Sequence, residues 1–186
     1  MRLTSITALG GVLLFSVLGC VPADTPPTAT KTPSAAPTTE PVFASDDEAL
    51  TVSLDFVQHA LDIQTAVRPD DPESQERNYA LLAPELQAAE RETHASDTDE
   101  RFLVGQIDVV EGGFVSRDQK TPERVDVAVC MDRSDAWLAV PSTKELGPLE
   151  GPVRETLLFT LVFSEPNVEN GLIHTIANGE GAGLCA

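Results

Sequence analysis

Four side chains of this 186-residue chain could support acid–base chemistry. Asp55, His59 and Asp62 are four and three residues apart in a segment with helical periodicity, a spacing that brings side chains together on a helix surface. His174 lies much later in the chain, with apolar residues two positions away on either side. A histidine held by a carboxylate can take up and return a proton near neutral pH. His59 and His174 are therefore the candidate pocket residues of an enzymatic hypothesis.

Structural roles explain the same four residues more simply. The three helix residues fall largely off the apolar stripe of their segment, where a solvated face is expected, and most sheet histidines are satisfied by hydrogen bonds. The sequence also lacks a serine nucleophile elbow, a phosphate loop, a zinc-ligand spacing and a reactive-cysteine setting. We therefore predict no catalytic residue, no metal site and no cofactor, and we favour a non-catalytic protein over an enzyme.

A different chemistry concerns Cys20, which ends an apolar run at the N-terminus. A charged tip at Arg2 precedes the uncharged residues 3–19, which are few for a membrane span of about 20 residues and stand where export signals stand. Val17, Gly19 and Cys20 resemble the bacterial lipoprotein signal, in which an aliphatic residue and a small residue precede a cysteine.

This resemblance implies that residues 1–19 are a signal peptide and that a diacylglycerol is attached to the thiol of Cys20. Acyl chains such as palmitate would then hold the protein at the extracytoplasmic face of the cell membrane, because two or three chains give the stable anchoring that one does not. Two alternatives stay open, namely an ordinary secretory peptide cleaved near Cys20 and an uncleaved helical anchor.

Residues 20–45 form a linker in this interpretation. Residues 21–44 contain six prolines and six threonines and very few side chains that could form a core. Such a composition cannot bury enough apolar surface to offset the entropy of ordering, so we predict a disordered spacer. At about 3.1 Å per residue in an extended polyproline conformation, the spacer could reach on the order of 70 Å.

Residues 46–186 carry the periodicities of one folded domain that begins with helices. Ser45 and Glu48 have the spacing of a capping box at a helix start. An apolar stripe at helical spacing follows, formed by Leu50, Leu54, Val57 and Leu61. The prolines at 69 and 72 predict the end of this helix, and a second helical zone with an interruption at Pro84 runs over residues 74–94.

Farther along the chain the apolar period changes from 3.6 to two, which indicates strands. Residues 102–110, 124–131, 154–164 and 172–177 are the predicted strands, with a bulge or bend at the glycines that follow the first. One face of the second strand consists of Val125, Val127, Val129 and Met131. Helices followed by consecutive strands predict an α+β domain with its N-terminal helices packed on an antiparallel sheet.

Two cysteines remain once Cys20 is assigned to the lipid. Cys130 lies in a predicted strand and Cys185 lies near the C-terminus. An even pair of cysteines in an exported chain predicts a disulfide. Two free thiols or a metal pair are the alternatives, and both are weakened because no histidine or further cysteine stands at ligand spacing.

The charge balance limits the partners of the protein. Thirty acidic residues stand against twelve lysines and arginines, giving a formal net charge of −18. Nucleic acid is therefore not expected to bind, and anionic lipid headgroups would repel the domain. The acidic clusters lack the alternating oxygen ligands, central glycine and distal glutamate of a calcium loop.

The order of features also resembles a family of exported proteins. The residues that carry the resemblance are "LLAPEL", "VAVCMDRS", "VRETLLFTLVFS" and the C-terminal cysteine. They are similar to lipoproteins of high-GC Gram-positive bacteria that contain a nuclear transport factor 2-like domain. The resemblance implies helices in the concavity of a curved antiparallel sheet of about four to five strands, a nuclear transport factor 2-like or cystatin-like arrangement. One departure is Leu172, which stands where the last strand usually opens with a tryptophan.

Two functions follow as hypotheses. The first is a membrane-tethered binding or scaffolding module of the cell envelope, which holds an envelope protein or a small apolar ligand. The second is a pocket enzyme of the ketosteroid-isomerase or dehydratase type, although no catalytic motif of those relatives matches this sequence. An open interior bounded by His59 or His174 would favour the enzyme, whereas an interior filled by Phe159 and Phe163 would favour partner binding.

Overall fold

The described part of the chain runs from three helices into seven strands. The computed structural model describes residues 40–96, 101–120, 122–143, 145–179 and 183–185, which belong to a compact unit spanning Thr38–Ala186. The predicted signal peptide, Cys20 and most of the predicted linker lie outside the described residues.

The helices begin where the sequence places caps. Helix α1 (Asp46–Ala66) starts after Ser45, whose Oγ accepts a hydrogen bond from the backbone N–H of Glu48 at 3.1 Å. Helix α2 (Pro72–Ala80) and helix α3 (Pro84–Ser96) each begin with a proline, which is compatible with the first turn because its missing N–H has no partner there. The predicted interruption at Pro84 is thus the boundary between two helices.

The buried face of α1 is turned relative to the predicted stripe. Val57 and Leu61 are buried as predicted, but Leu50 and Leu54 are only half-buried. The other buried positions of the helix are Ala49, Ser53, Phe56 and Ala60. Three of these are small, so the helix backbone approaches the sheet closely on that side, and a stripe read from large aliphatic residues alone misses it.

The strands form two antiparallel sheets. The main sheet has the order β2-β3-β6-β7, and a smaller sheet has the order β1-β4-β5. In chain order the strands are β1 (Phe102–Gly105), β2 (Asp108–Asp118), β3 (Glu123–Asp132), β4 (Ala136–Ala139), β5 (Leu146–Pro148), β6 (Arg154–Phe163) and β7 (Gly171–Asn178). The predicted α+β class and antiparallel pairing are therefore confirmed, with four strands in the main sheet and a second sheet that the sequence analysis did not predict.

The predicted strand over residues 102–110 is two strands that belong to different sheets. Gly105 ends β1 with φ of +95°, and a side chain at this position would clash with the backbone carbonyl of Asp135. Only glycine adopts such a conformation readily. The chain therefore turns at Gly105, and β2 starts anew at Asp108 in the main sheet.

The inward face of the main sheet forms the core with α1. Val125, Val127, Val129 and Met131 are all buried, as the alternation in β3 predicts. Phe163 is a centre of this core, because its ring meets Phe43 and Phe56 edge to face at centroid distances of 5.1 and 5.7 Å. Phe43 belongs to the predicted linker segment, yet it is fully buried.

A buried ionic cluster fixes the start of the domain. One carboxylate oxygen of Glu123 accepts hydrogen bonds from the N–H groups of Val42 and Phe43 at 2.8 and 3.3 Å. The other oxygen lies 3.1 Å from Nη1 of Arg117, which also donates to the carbonyl of Phe43. Nε of Arg117 lies 2.8 Å from a carboxylate oxygen of Asp46. The first described residues are therefore held against β2 and β3 by charge-assisted contacts.

Candidate functional site

The candidate site is a cavity of about 430 Å³ between the helices and the main sheet. This volume lies within the range of about 300–1,000 Å³ that is usual for small-molecule pockets. Its walls are predominantly aliphatic, and they come from all three helices, both sheets and the loop between β5 and β6. The apolar residues of the wall include Val57, Ala60, Leu61, Leu82, Leu86, Ala89, Leu157, Phe159, Ile173 and Ile176.

The connection between α2 and α3 holds the helical roof of the cavity. The N–H of Ala83 donates to the carbonyl of Ile173 at 2.8 Å, and the N–H of Ile173 donates to the carbonyl of Leu81 at 2.8 Å. This short stretch therefore pairs with β7 like an added parallel strand, around the bridge between Leu82 and Ile173. The pairing fixes α3 at the edge of the sheet, so the space beside it stays open instead of being closed by helix packing.

An ion pair lies in the wall of the cavity. Nη1 of Arg133 is 3.1 Å from a carboxylate oxygen of Glu155, and these side chains are only 15% and 27% exposed. Nη2 of Arg133 donates to the carbonyls of Pro152 and Glu150 at 2.6 and 3.4 Å. The two Nη atoms are thus directed at protein acceptors, whereas the buried Nε has none among the described residues. Glu90 on α3 is the other charged residue that lines the cavity within the described chain.

The histidines proposed from the sequence do not line this cavity. His59 is exposed on α1, as are Asp55 and Asp62, whereas Val57, Ala60 and Leu61 form the cavity side of that helix. His174 is half-buried in β7, at the point where the register with β6 shifts by a bulge. The structure therefore places neither histidine against the open interior.

The predicted filling of the interior is only partly seen. Phe159 stands in the cavity wall, and Phe163 packs with Phe43 and Phe56 in the adjoining core. The core and the cavity occupy different parts of the inward face. The interior is open, but its walls carry aliphatic side chains and one ion pair in place of an acid–base pair with histidine.

Asp132, at the end of β3, has a pKa well below the usual range of an aspartate. The backbone N–H of Ser134 and the guanidinium of Arg154 stabilise its carboxylate and lower its pKa to about 2. Asp126 on β3 also has a lowered pKa, because hydrogen bonds from Thr160 and Ser116 outweigh the opposing effect of burial. Neither carboxylate lines the cavity, and both stay ionised at neutral pH, which does not suit a general acid.

Two further findings concern ions and membranes. Within the residues that the structure describes, no group of three or more His, Cys, Asp or Glu residues could hold a metal ion. Over the same residues, none of the helices has the length and apolar character needed to cross a membrane.

A disulfide joins Cys130 on β3 to Cys185 in the C-terminal tail. The S–S distance is 2.01 Å and the bond closes a sequence separation of 55 residues. The tail lies against the sheet, because the N–H of Cys185 donates to Oγ1 of Thr156 at 3.3 Å and Leu184 faces Gly113. A structural disulfide fits a protein of an oxidising compartment outside the cytoplasm.

Sequence reasoning did not single out the ion pair of the cavity. A signal was present in "RETLLF", where Glu155 shares the alternation of Leu157 and Phe159 and so points to the inward face. An acidic residue on an inward face needs a partner, and the partner is Arg133 at the end of the neighbouring strand. The residue types alone could not show which arginine would supply the charge.

The fold and the cavity together define an α+β domain with an internal, mainly apolar, ligand-sized cavity. No family model and no curated protein matches the chain. Two solved structures have a similar arrangement. The intermembrane space region of chloroplast protein ARC6 is 13% identical with a TM-score of 0.42, over 69% of this chain and 95% of the other. A periplasmic fragment of TraM is 10% identical with a TM-score of 0.41, over 72% and 96%.

Proposed function

We propose that this protein is a lipid-anchored, extracytoplasmic module that holds a small apolar molecule in the cavity between its helices and its main sheet. The single observation that carries the proposal is the aliphatic cavity of about 430 Å³. Burial of apolar ligand surface there would drive binding at roughly 25 cal/mol per Å² before the costs of association. The proposed membership of the nuclear transport factor 2-like lipoproteins agrees with helices that cover one sheet face.

The composition of the walls favours binding over catalysis. Neither His59 nor His174 lines the cavity, and the carboxylate of Glu155 is engaged by Arg133. A pocket enzyme of the isomerase type needs a base that reaches the substrate. The described cavity offers apolar contact over most of its wall, which is what a carrier or sensor of an apolar molecule requires.

Two neighbouring alanines on α3 allow a matched test of ligand binding. Ala88 and Ala89 are both exposed, but only Ala89 lines the cavity. We expect the full chain with Cys20→Ala to bind Nile red, an uncharged apolar fluorophore, saturably and with a blue-shifted emission. Ala89→Trp should weaken this binding about tenfold or more, which corresponds to about 1.4 kcal/mol of binding free energy. The reason is that the indole would occupy part of the cavity.

Ala88→Trp is the control, since it adds the same side chain one position away. All variants share the same residues before Glu40, so any dye held by that segment cancels in the comparison. Equal affinities of the two tryptophan variants, or binding of Nile red that does not saturate, would contradict the proposed function.

The anchor is tested separately in growing bacterial cells. Metabolic labelling with a fatty acid should mark the wild-type protein, and Cys20→Ala should lose the label and leave the membrane fraction. Ser34→Ala is the control, because it is a single substitution close to Cys20 in the sequence that leaves the cysteine in place and should keep the label. Retention of the label by Cys20→Ala would reject the lipid anchor and leave the cavity proposal untouched.

A further inference from the structure

We infer that the cavity selects amphiphiles whose polar end is uncharged or cationic, with hydroxyl, amide or ammonium donors, and discriminates against carboxylates. This inference rests on the proposed function, because it specifies which apolar molecules the same cavity holds. The observation behind it is the set of charged groups in the described cavity wall, namely two carboxylates and one guanidinium.

The positive group of the wall is already engaged by the protein. Arg133 is 15% exposed, its Nη1 lies 3.1 Å from Glu155, and its Nη2 donates to the carbonyl of Pro152 at 2.6 Å. Gly151, which precedes Pro152, has a φ of +96°, and a Cβ added there would lie 3.2 Å from Nη2, so the loop fits closely around the guanidinium. The Nε of Arg133 has no hydrogen-bond partner within the described chain, but it is buried, so a carboxylate ligand would have to compete with Glu155 for the guanidinium.

The two carboxylates of the cavity wall remain hydrogen-bond acceptors. Glu155 is 27% exposed and Glu90 is exposed on α3, and carboxylates accept hydrogen bonds but donate none when ionised. A ligand head with N–H or O–H donors can therefore bind beside them. An anionic head would add negative charge to a wall whose charged groups already sum to −1, within a chain whose formal net charge is −18.

Three amphiphiles with equally long tails and different polar heads test this selectivity. Dodecylammonium, 1-dodecanol and dodecanoate would each be titrated below their micellar concentrations against Nile red bound to the full chain with Cys20→Ala. We expect the ammonium compound and the alcohol to displace the dye at concentrations at least tenfold lower than dodecanoate. Equal or better displacement by dodecanoate would overturn the inference while leaving the proposed function standing.

Removing one negative charge should change this preference in a predictable way. Glu155→Gln leaves Arg133 without its carboxylate partner, so dodecanoate should displace the dye at least tenfold better from this variant than from the parent. Glu90→Gln changes an exposed helix position and should not affect folding. It should reduce the difference in displacing concentration between dodecanoate and the other two compounds. Glu169→Gln, outside the cavity, removes the same charge and should leave the order of the three compounds unchanged.

The outcomes distinguish the two levels of the proposal. Failure of Nile red and of all three amphiphiles to bind would reject the proposed function and the inference with it. If the dye binds, and the three amphiphiles displace it with the same relative strength from Glu155→Gln, Glu90→Gln and the parent, only the role of the two carboxylates is rejected.

Discussion

Glu123→Ala is expected to lower the free energy of unfolding by about 3–5 kcal/mol, the range for removal of one partner from a buried ion pair. Glu123 is fully buried and Arg117 is only 9% exposed, so the guanidinium would keep its charge without its buried counter-ion. The N–H groups of Val42 and Phe43 would lose their acceptor as well. Urea unfolding followed by circular dichroism measures the change.

A nearby exposed pair provides the control. Asp118 and Lys120 form an ion pair at 3.2 Å, with side chains that are 54% and 86% exposed. Asp118→Ala should change stability by no more than about 1 kcal/mol, because solvent screens exposed pairs. A similar loss in both variants would show that burial of Glu123 has no special weight.

A double replacement separates the ion pair from its surroundings. Glu123→Met combined with Arg117→Met removes both buried charges, and it should cost clearly less than the sum of the two single changes. Recovery will be incomplete, because Val42 and Phe43 still lack an acceptor.

Limited proteolysis should cut the chain more readily near Phe43 in Glu123→Ala than in the parent, since the cluster is what holds that segment.

The same cluster lies at one end of the two central strands of the main sheet. Phe43 lies against Phe163 at the end of β6, and Glu123 begins β3. Met131 and Glu155, at the opposite ends of those two strands, line the cavity. The separation along β3 is roughly 26 Å at about 3.3 Å per residue. The buried cluster and the ion pair of Arg133 and Glu155 therefore lie near opposite ends of β3 and β6.

Local patterns predicted the elements that depend on local physics. The capping residues Ser45 and Glu48 mark the start of α1, and the alternation in β3 and β6 identifies the inward faces. Both follow from interactions among residues close in sequence or from simple burial. The predicted α+β arrangement holds for that reason.

The features that the sequence did not predict depend on distant contacts. The break at Gly105 is needed because the carbonyl of Asp135 occupies the space a side chain would take. Leu54 packs over Gly112, where a side chain would clash with it, and this contact joins residues far apart in the sequence. The cavity is assembled from three helices and both sheets, so no single periodicity describes it. His59 was proposed from spacing, which gives a helix face but not what that face meets.

Removal of the disulfide is the second large expected effect. Cys130→Ala combined with Cys185→Ala should lower the free energy of unfolding by about 4 kcal/mol, the loop-closure value for a separation of 55 residues. Reduced wild-type protein should fall to a similar stability, and this agreement would assign the loss to the bond instead of to the new side chains.

The disulfide should also hold the tail on the sheet, which gives the prediction a second measurement. Leu184 faces Gly113, and the N–H of Cys185 donates to Thr156 at 3.3 Å. A hydrogen bond of this kind contributes only about 1 kcal/mol, so we expect the tail to detach from the sheet once the disulfide is broken. We expect the amide hydrogen of Cys185 to exchange with solvent much faster in the reduced protein. The ranking of exchange rates among the amides of β3 should stay the same. Unchanged exchange at Cys185, together with unchanged stability, would mean that the tail is held by packing and that the disulfide is dispensable.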